Sequence, residues 1–113
     1  MTDALTRARL DAQMTEADWQ GQVIAFARLR GWLVAHFRPA RTAQGWRTPV
    51  TADGAGFPDL VLVRERVVLV ELKSEAGRVS VEQRRWLIAL EAAHAEHYLW
   101  RPSDWPQVEA VLR

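Results

Sequence analysis

The stretch "GFPDLVLVRERVVLVELK", residues 56–73, contains two apolar segments that are typical of neighbouring β-strands. Charged side chains interrupt both segments, at Asp59 in the first and at Glu71 and Lys73 in the second. An unpaired charge inside an apolar sheet costs on the order of several kcal/mol. We therefore expect these three side chains to compensate one another or to bind a metal ion.

The second segment, 67–73, is apolar on both faces, which is typical of a central strand covered on both sides. Glu71 and Lys73 share one face, because residues two apart on a strand point the same way, and we expect both to be half-buried. The turn decides whether Asp59 joins them. A two-residue turn at 65–66 would face Asp59 away from Glu71, so we expect a three-residue turn or a kink at Pro58.

Two neighbouring carboxylates repel each other unless a cation lies between them, and oxygen ligands suit a hard ion such as magnesium. Lys73 is the only lysine of the chain, and its ammonium group can position a water molecule, help to deprotonate it, or stabilise charge on a phosphate. A metal ion, this amine and a basic surface loop together indicate phosphodiester hydrolysis.

The basic loop is the segment 38–56, about twenty residues without a helix or strand pattern, and we expect a structureless substrate loop. No acidic residue occurs between Trp19 and Ala52. A solvated charged face remains the alternative to a nucleic-acid surface. Five arginines fall in the acid-free interval: Arg28, Arg30, Arg38, Arg41 and Arg47.

The composition, with 49% hydrophobic and 26% charged residues over 113 positions, is that of one globular domain. The net charge of +1 is not that of a polycation that binds nucleic acid indiscriminately, and the lack of cysteine excludes disulfides and thiolate zinc sites. Neither a signal peptide nor a membrane-spanning run is predicted, so we expect a cytoplasmic protein.

The predicted order α-β-β-β-α-β-α indicates an α/β fold in which helices flank both faces of a small mixed central β-sheet. We expect residues 1–14 to be a polar N-terminal segment and 15–113 to be the domain. The predicted elements are a helix from Thr15 to a stop at Gly31, strands at 32–37, 59–64 and 67–73, a helix at 80–93, a strand at 96–100, and a last helix capped by Ser103 or Asp104.

Pro58-Asp59, followed after eleven residues by Glu71-Leu72-Lys73, resembles the signature of the PD-(D/E)XK nucleases. Further segments resemble the VRR-NUC subfamily from about residue 15 to the end: "TEADWQ", "GWLVAHF", "VELKSEAGRVSVEQRRWL" and "YLWRPSDW". The resemblance implies a restriction-endonuclease-like core with nuclease activity. The chain departs from the family pattern in its short hairpin turn and in carrying the nuclease core alone.

The resemblance also implies roles for individual residues. Asp59 and Glu71 would bind Mg²⁺ or Mn²⁺ with help from the carbonyl of Leu72, and Lys73 would serve the nucleophile. Glu16 would complete the acidic cluster, directly or through a water molecule. Its alternative role is that of an acid which complements the dipole of the first helix.

Gln83 has two interpretations. Ser80-Val81-Glu82-Gln83 is a capping box, which explains the glutamine as a structural residue. The resemblance gives it an active-site contact instead. We favour the site role, and we expect that one rotamer cannot serve both.

Contacts with nucleic acid are expected from the end of the first strand and from the basic loop. His36 would contact a phosphate or a base, although a buried histidine is as common an explanation. Arg38, Arg41 and Arg47 would contact phosphates. Trp46 would stack on a base, with core packing as the alternative.

These features predict a magnesium- or manganese-dependent endonuclease that selects DNA by its structure, such as branched, flapped or four-way (Holliday) junction DNA. We expect a homodimer, because one site cuts one strand and a four-way junction is twofold symmetric. One alternative is a non-catalytic DNA-binding module or nuclease subunit of the same fold. Another is a site-specific restriction enzyme, for whose sequence-reading elements the chain has little room.

Overall fold

The computed structural model of the 113-residue chain describes residues 3–37, 40–42, 45–47 and 51–113; at 40–42, 46 and 47 the description is of the backbone. Within these ranges, four α-helices and six strands lie in the following order: α1 Ala4–Gln13, α2 Glu16–Leu29, β1 Leu33–His36, β2 Ala40–Thr42, β3 Gly45–Arg47, β4 Leu60–Val63, β5 Val67–Leu72, α3 Val81–Ala92, β6 His97–Trp100, a 3-10 turn Pro102–Asp104, and α4 Trp105–Leu112.

The main sheet has the strand order β1-β4-β5-β6. Its first two pairings are antiparallel and the pairing of β5 with β6 is parallel. A parallel pair needs a crossover connection, which α3 provides. The predicted mixed α/β fold, with helices around a small mixed sheet, is confirmed.

The hairpin β4–β5 has the expected three-residue turn. Val63 pairs with Val67, which leaves residues 64–66 in the turn, and Leu60 pairs with Val70. The N–H of Arg64 donates to the carbonyl of Arg66 at 3.1 Å and closes the turn. This register fixes which side chains of the two strands share a face.

The hydrophobic core lies between one face of the main sheet and the helices α2 and α4. Fully burying an aliphatic side chain of this kind stabilises the fold by about 1.5–3 kcal/mol. Two fully buried tryptophans belong to this core, Trp19 from α2 and Trp100 from β6. The buried set is Trp19, Val23, Ala27, Trp32, Leu60, Leu62, Val68, Val70, Leu72, Trp100, Val108 and Leu112.

The segment 38–56 differs from the expected structureless loop. Within its described part, β2 and β3 form a separate antiparallel pair in which Ala40 lies opposite Arg47. Each strand is three residues long and shows no alternation of apolar and polar residues, so the sequence carries no strand signal there.

The first residues form a helix within the expected polar N-terminal segment. Asp3 caps α1, since its carboxylate accepts the N–H of Thr6 at 2.8 Å. In the part of the chain that the structure describes, no helix has the length and apolarity needed to cross a bilayer.

Candidate active site

Asp59 lies directly before β4 and is held between two strands. Extending the β4–β5 register by one residue sets Asp59 opposite Glu71, and such partners share a face of the sheet. Its Oδ2 accepts the N–H of Leu72 at 2.8 Å, and its backbone carbonyl accepts the N–H of Phe37 at 2.9 Å. The three-residue turn therefore brings the two carboxylates together on the side of the sheet opposite the core.

Glu71 is more deeply buried than expected, because its residue is 1% exposed rather than half-exposed. The first turn of α3 lies against it and supplies a hydrogen-bond donor, the amide of Gln83. Burial raises the pKa of Glu71 to about 9, with further contributions from the charge of Asp59 and a hydrogen bond between the two carboxyl groups. Without a bound cation, this pair of carboxyls therefore retains a proton near neutral pH.

Gln83 makes both of the contacts expected of it. Its Oε1 accepts the N–H of Ser80 at 2.9 Å and completes the capping box, while its Nε2 donates to Oε1 of Glu71 at 3.0 Å. Our expectation that one rotamer cannot do both is wrong. An amide carries an acceptor and a donor at its two ends, and α3 starts close enough to β5 for both ends to be used.

Lys73 follows β5, and its N–H donates to the carbonyl of Trp100 at 3.1 Å. Its side chain is half-buried, as expected. Burial raises the pKa values of Glu16 and Glu71, and the positive charge of Lys73 opposes the rise at both carboxyls. The amine and these acids therefore belong to one electrostatic cluster.

Glu16 reaches this cluster from α2, on which it is the first residue. Trp19, one turn further along, donates from Nε1 to the carbonyl of Trp100 at 3.0 Å, the same carbonyl that accepts the N–H of Lys73. This bond holds the start of α2 at the end of β5. Burial raises the pKa of Glu16, Lys73 lowers it and Asp59 raises it. The position in the first helical turn also suits the dipole role.

The paired carboxylates of Asp59 and Glu71 have the donor chemistry that a hard divalent cation takes. In the described ranges, no group of three His, Cys, Asp or Glu side chains is arranged to hold a metal ion. A metal ion here would therefore take two carboxylates and complete its shell with a backbone carbonyl, such as that of Leu72, and water. Mg²⁺ is commonly bound in this way, through one or two carboxylates and several waters.

Gly56 is a site-shaping residue that the sequence analysis did not single out. Its φ of +81° is in the region that favours glycine, and a Cβ at this position would lie 2.4 Å from the carbonyl carbon of Glu82. The loop before Asp59 thus packs directly on the backbone of the first turn of α3. The available signal was a glycine two residues before the Pro-Asp pair.

Of the residues expected to contact nucleic acid, His36 has its side chain within the described part of the chain. His36 pairs with Leu60 and so faces the core side of the sheet, where its Nε2 is buried and has no partner among the described residues. Arg38 lies outside the described residues, and so do the side chains of Arg41, Trp46 and Arg47. Their roles stay predictions.

Comparison with known proteins gives one match. The model of the family described as VRR-NUC domain matches residues 27–101, about two thirds of the chain. Asp59, Glu71, Lys73 and Gln83 lie inside the matched range, whereas Glu16 precedes it. Neither a curated protein nor a solved structure matches the chain.

Proposed function

The chain belongs to the VRR-NUC domain family, whose domains are of the nuclease type, and on that premise we propose that it is a metal-dependent endonuclease for branched DNA. The observation that carries the proposal is the pairing of Asp59 with the buried Glu71, with Gln83 hydrogen-bonded to Glu71 and Lys73 in the same cluster. These charged and polar side chains do not stabilise an apolar sheet, because each buried charge needs a compensating partner.

In this proposal, Asp59 and Glu71 would hold Mg²⁺ or Mn²⁺, together with the carbonyl of Leu72. When bound, the ion would lower the pKa of a water molecule and stabilise the negative charge that develops on the phosphate. The amide of Gln83 fixes one oxygen of Glu71 and so orients its carboxylate. Lys73 positions the attacking water or neutralises charge on the phosphate.

A cleavage panel tests the proposal. Linear, flapped and four-way DNA are incubated with Mg²⁺, Mn²⁺ or EDTA, and we expect metal-dependent cutting near the branch. Binding of branched DNA without cutting would favour a non-catalytic module, and cutting of linear duplex at one fixed sequence would favour a restriction-type enzyme. We propose that the protein acts in the cytoplasm.

We further propose that the working unit is a homodimer. An exposed, uncharged row runs across one face of the sheet, since Leu33 pairs with Val63, which pairs with Val67, and the three residues are 75%, 37% and 51% exposed. A twofold interface places one patch against its own copy, and an uncharged row does not repel itself as a charged row would. Two copies would present two sites to a twofold-symmetric junction.

Light scattering after size exclusion measures the oligomeric state. We expect a dimer for the wild type and a monomer for Leu33→Glu. Leu29→Glu is the matched control, because Leu29 is 79% exposed but lies on α2. A wild-type monomer that still resolves four-way junctions by paired cuts would refute the dimer.

Arg38, Arg41 and Arg47 remain proposed phosphate contacts. Replacing any one of them by glutamine should weaken DNA binding uniformly across sequences. The slope of log K against log salt concentration should become shallower by about 0.9 for each phosphate that the protein no longer neutralises. An unchanged slope would exclude the residue from the interface.

A further inference from the structure

Phe37 stands in a cross-strand row with the two carboxylates. Extending the β1–β4 register by one residue sets Phe37 opposite Asp59, and its N–H donates to the carbonyl of Asp59 at 2.9 Å. Asp59 in turn lies opposite Glu71. Opposite residues share a face, with Cβ atoms roughly 4.5–5.5 Å apart. The aromatic side chain is thus the direct neighbour of Asp59 and lies in the same cross-strand row as Glu71.

The ring of Phe37 is supported by two further rings. It meets Phe57 edge-to-face at 5.5 Å, and Phe57 meets Trp86 edge-to-face at 5.0 Å. Trp86 is itself held, since its Nε1 donates to the carbonyls of Asp53 and Ala55 at 2.9 and 3.1 Å. Such contacts limit the orientations of the ring before any substrate arrives.

The same ring belongs to a residue that is 43% exposed, whereas the core tryptophans Trp19 and Trp100 are fully buried. One exposed aromatic residue is ordinary on a protein surface. What distinguishes Phe37 is that a rigidly supported ring opens to solvent beside the carboxylates that would hold the metal ion. A phosphate bound at those carboxylates would bring its neighbouring nucleotides to the ring.

Resting on the proposed function, we propose that Phe37 stacks on an unpaired nucleobase next to the phosphate that is cut. Aromatic side chains stack on bases without regard to sequence, because every base has a π-face. Inside a continuous duplex both faces of a base are occupied by its neighbours, so the ring has nothing to stack on. At a branch point, a flap or a single strand, one face is open. Phe37 would therefore select branched DNA by its structure.

Binding measurements test this separately from cleavage. All proteins carry Lys73→Met to prevent cutting while both carboxylates stay in place, and affinity is measured for flapped DNA with 2-aminopurine beside the branch and for linear duplex of the same sequence. Phe37→Leu, which keeps the apolar character and removes the π-face, should lose about 5- to 150-fold in affinity for flapped DNA, with linear duplex unchanged. Quenching of 2-aminopurine should also be lost.

Phe37→Trp should retain both the affinity and the quenching, and Leu29→Ala, an exposed position on α2, serves as the neutral control. The inference would be overturned if Phe37→Leu bound flapped DNA as tightly as the parent protein. It would also be overturned if the substitution lowered the affinities for flapped and linear DNA equally. Cleavage by the protein without Lys73→Met reports on the proposed function independently. If Phe37 stacks selectively but the protein does not cut DNA, the Phe37 inference is supported and the proposed nuclease activity is rejected.

Discussion

Nε2 of Gln83 donates to Oε1 of Glu71 across 3.0 Å, which ties the first turn of a helix to the buried carboxylate of the candidate site. The other end of the same amide caps that helix through the N–H of Ser80. Helix start and site geometry are therefore coupled through one side chain. Substitutions that affect the two ends differently can separate the two roles.

Gln83→Glu should keep the capping box, because a glutamate at this position accepts the same N–H, but it removes the donor to Glu71. We expect cleavage of branched DNA to fall by at least tenfold while the melting temperature stays within a few degrees. Ser80→Ala is the reverse control. It should lower the free energy of unfolding by about 1 kcal/mol and leave cleavage largely intact. If Gln83→Glu cleaved DNA at the wild-type rate, Gln83 would have no role in the active site.

The raised pKa of Glu71 predicts how stability depends on pH in the absence of metal. Its ordinary pKa is 4.5 and its pKa in the folded protein is about 9, so between these values the folded protein binds a proton that the unfolded chain has released. The free energy of unfolding should therefore fall as pH rises through this window. Glu71→Gln cannot ionise and should show a shallower fall.

Urea unfolding at pH 6 and pH 8.5, in EDTA, measures this difference. The wild type should lose more stability between the two pH values than Glu71→Gln does, and the variant should be the more stable protein at pH 8.5. Equal losses in the two proteins would show that no proton is held at Glu71.

Metal binding should stabilise the folded protein by mass action. At pH 8, saturating Mg²⁺ or Mn²⁺ should raise the melting temperature of the wild type, and the gain should shrink toward pH 6 because protons compete for the same carboxylates. Asp59→Asn and Glu71→Gln should each remove the gain. A gain that survives both substitutions would place the metal ion elsewhere.

Two glycine-to-alanine substitutions should act in opposite directions. Gly56→Ala places a side chain at φ +81° against the backbone of Glu82, and it should destabilise the fold by about 2 kcal/mol or more. Gly21→Ala, inside α2 with no atom within 4 Å of the new Cβ, should stabilise it by about 0.5–1 kcal/mol. Denaturant unfolding of both variants measures the contrast, and similar values would contradict the close packing of the loop on α3.

The sequence was sufficient for features that depend on neighbours along the chain. The cap at Ser80 follows from local spacing, as does the cap at Thr15, and both are confirmed. The three-residue turn of the hairpin could also be predicted, because only that register gathers the charges on one face. The identity of the charged residues at the strand ends then indicated the family.

Other features depend on contacts between distant segments, and the sequence could not supply them. The face on which His36 lies follows from the pairing of β1 with β4, which no local pattern specifies. The full burial of Glu71 requires α3 to lie against it, and the fit of Gly56 requires the backbone of Glu82, far along the chain. Short strands such as β2 and β3 carry too few residues to show a period.

The central claim is that Asp59, Glu71 and Lys73 form a metal-dependent nuclease site, and the most direct test is cleavage of labelled four-way and flapped DNA by the wild type and by Lys73→Met. The wild type should cut both substrates near the branch with Mg²⁺ or Mn²⁺ and cut neither in EDTA. Lys73→Met should bind the same DNA, since the carboxylates and the fold remain, but cut at least a hundredfold more slowly. Equal cutting rates for the two purified proteins, or cutting by the wild type that persists in EDTA, would contradict the claim.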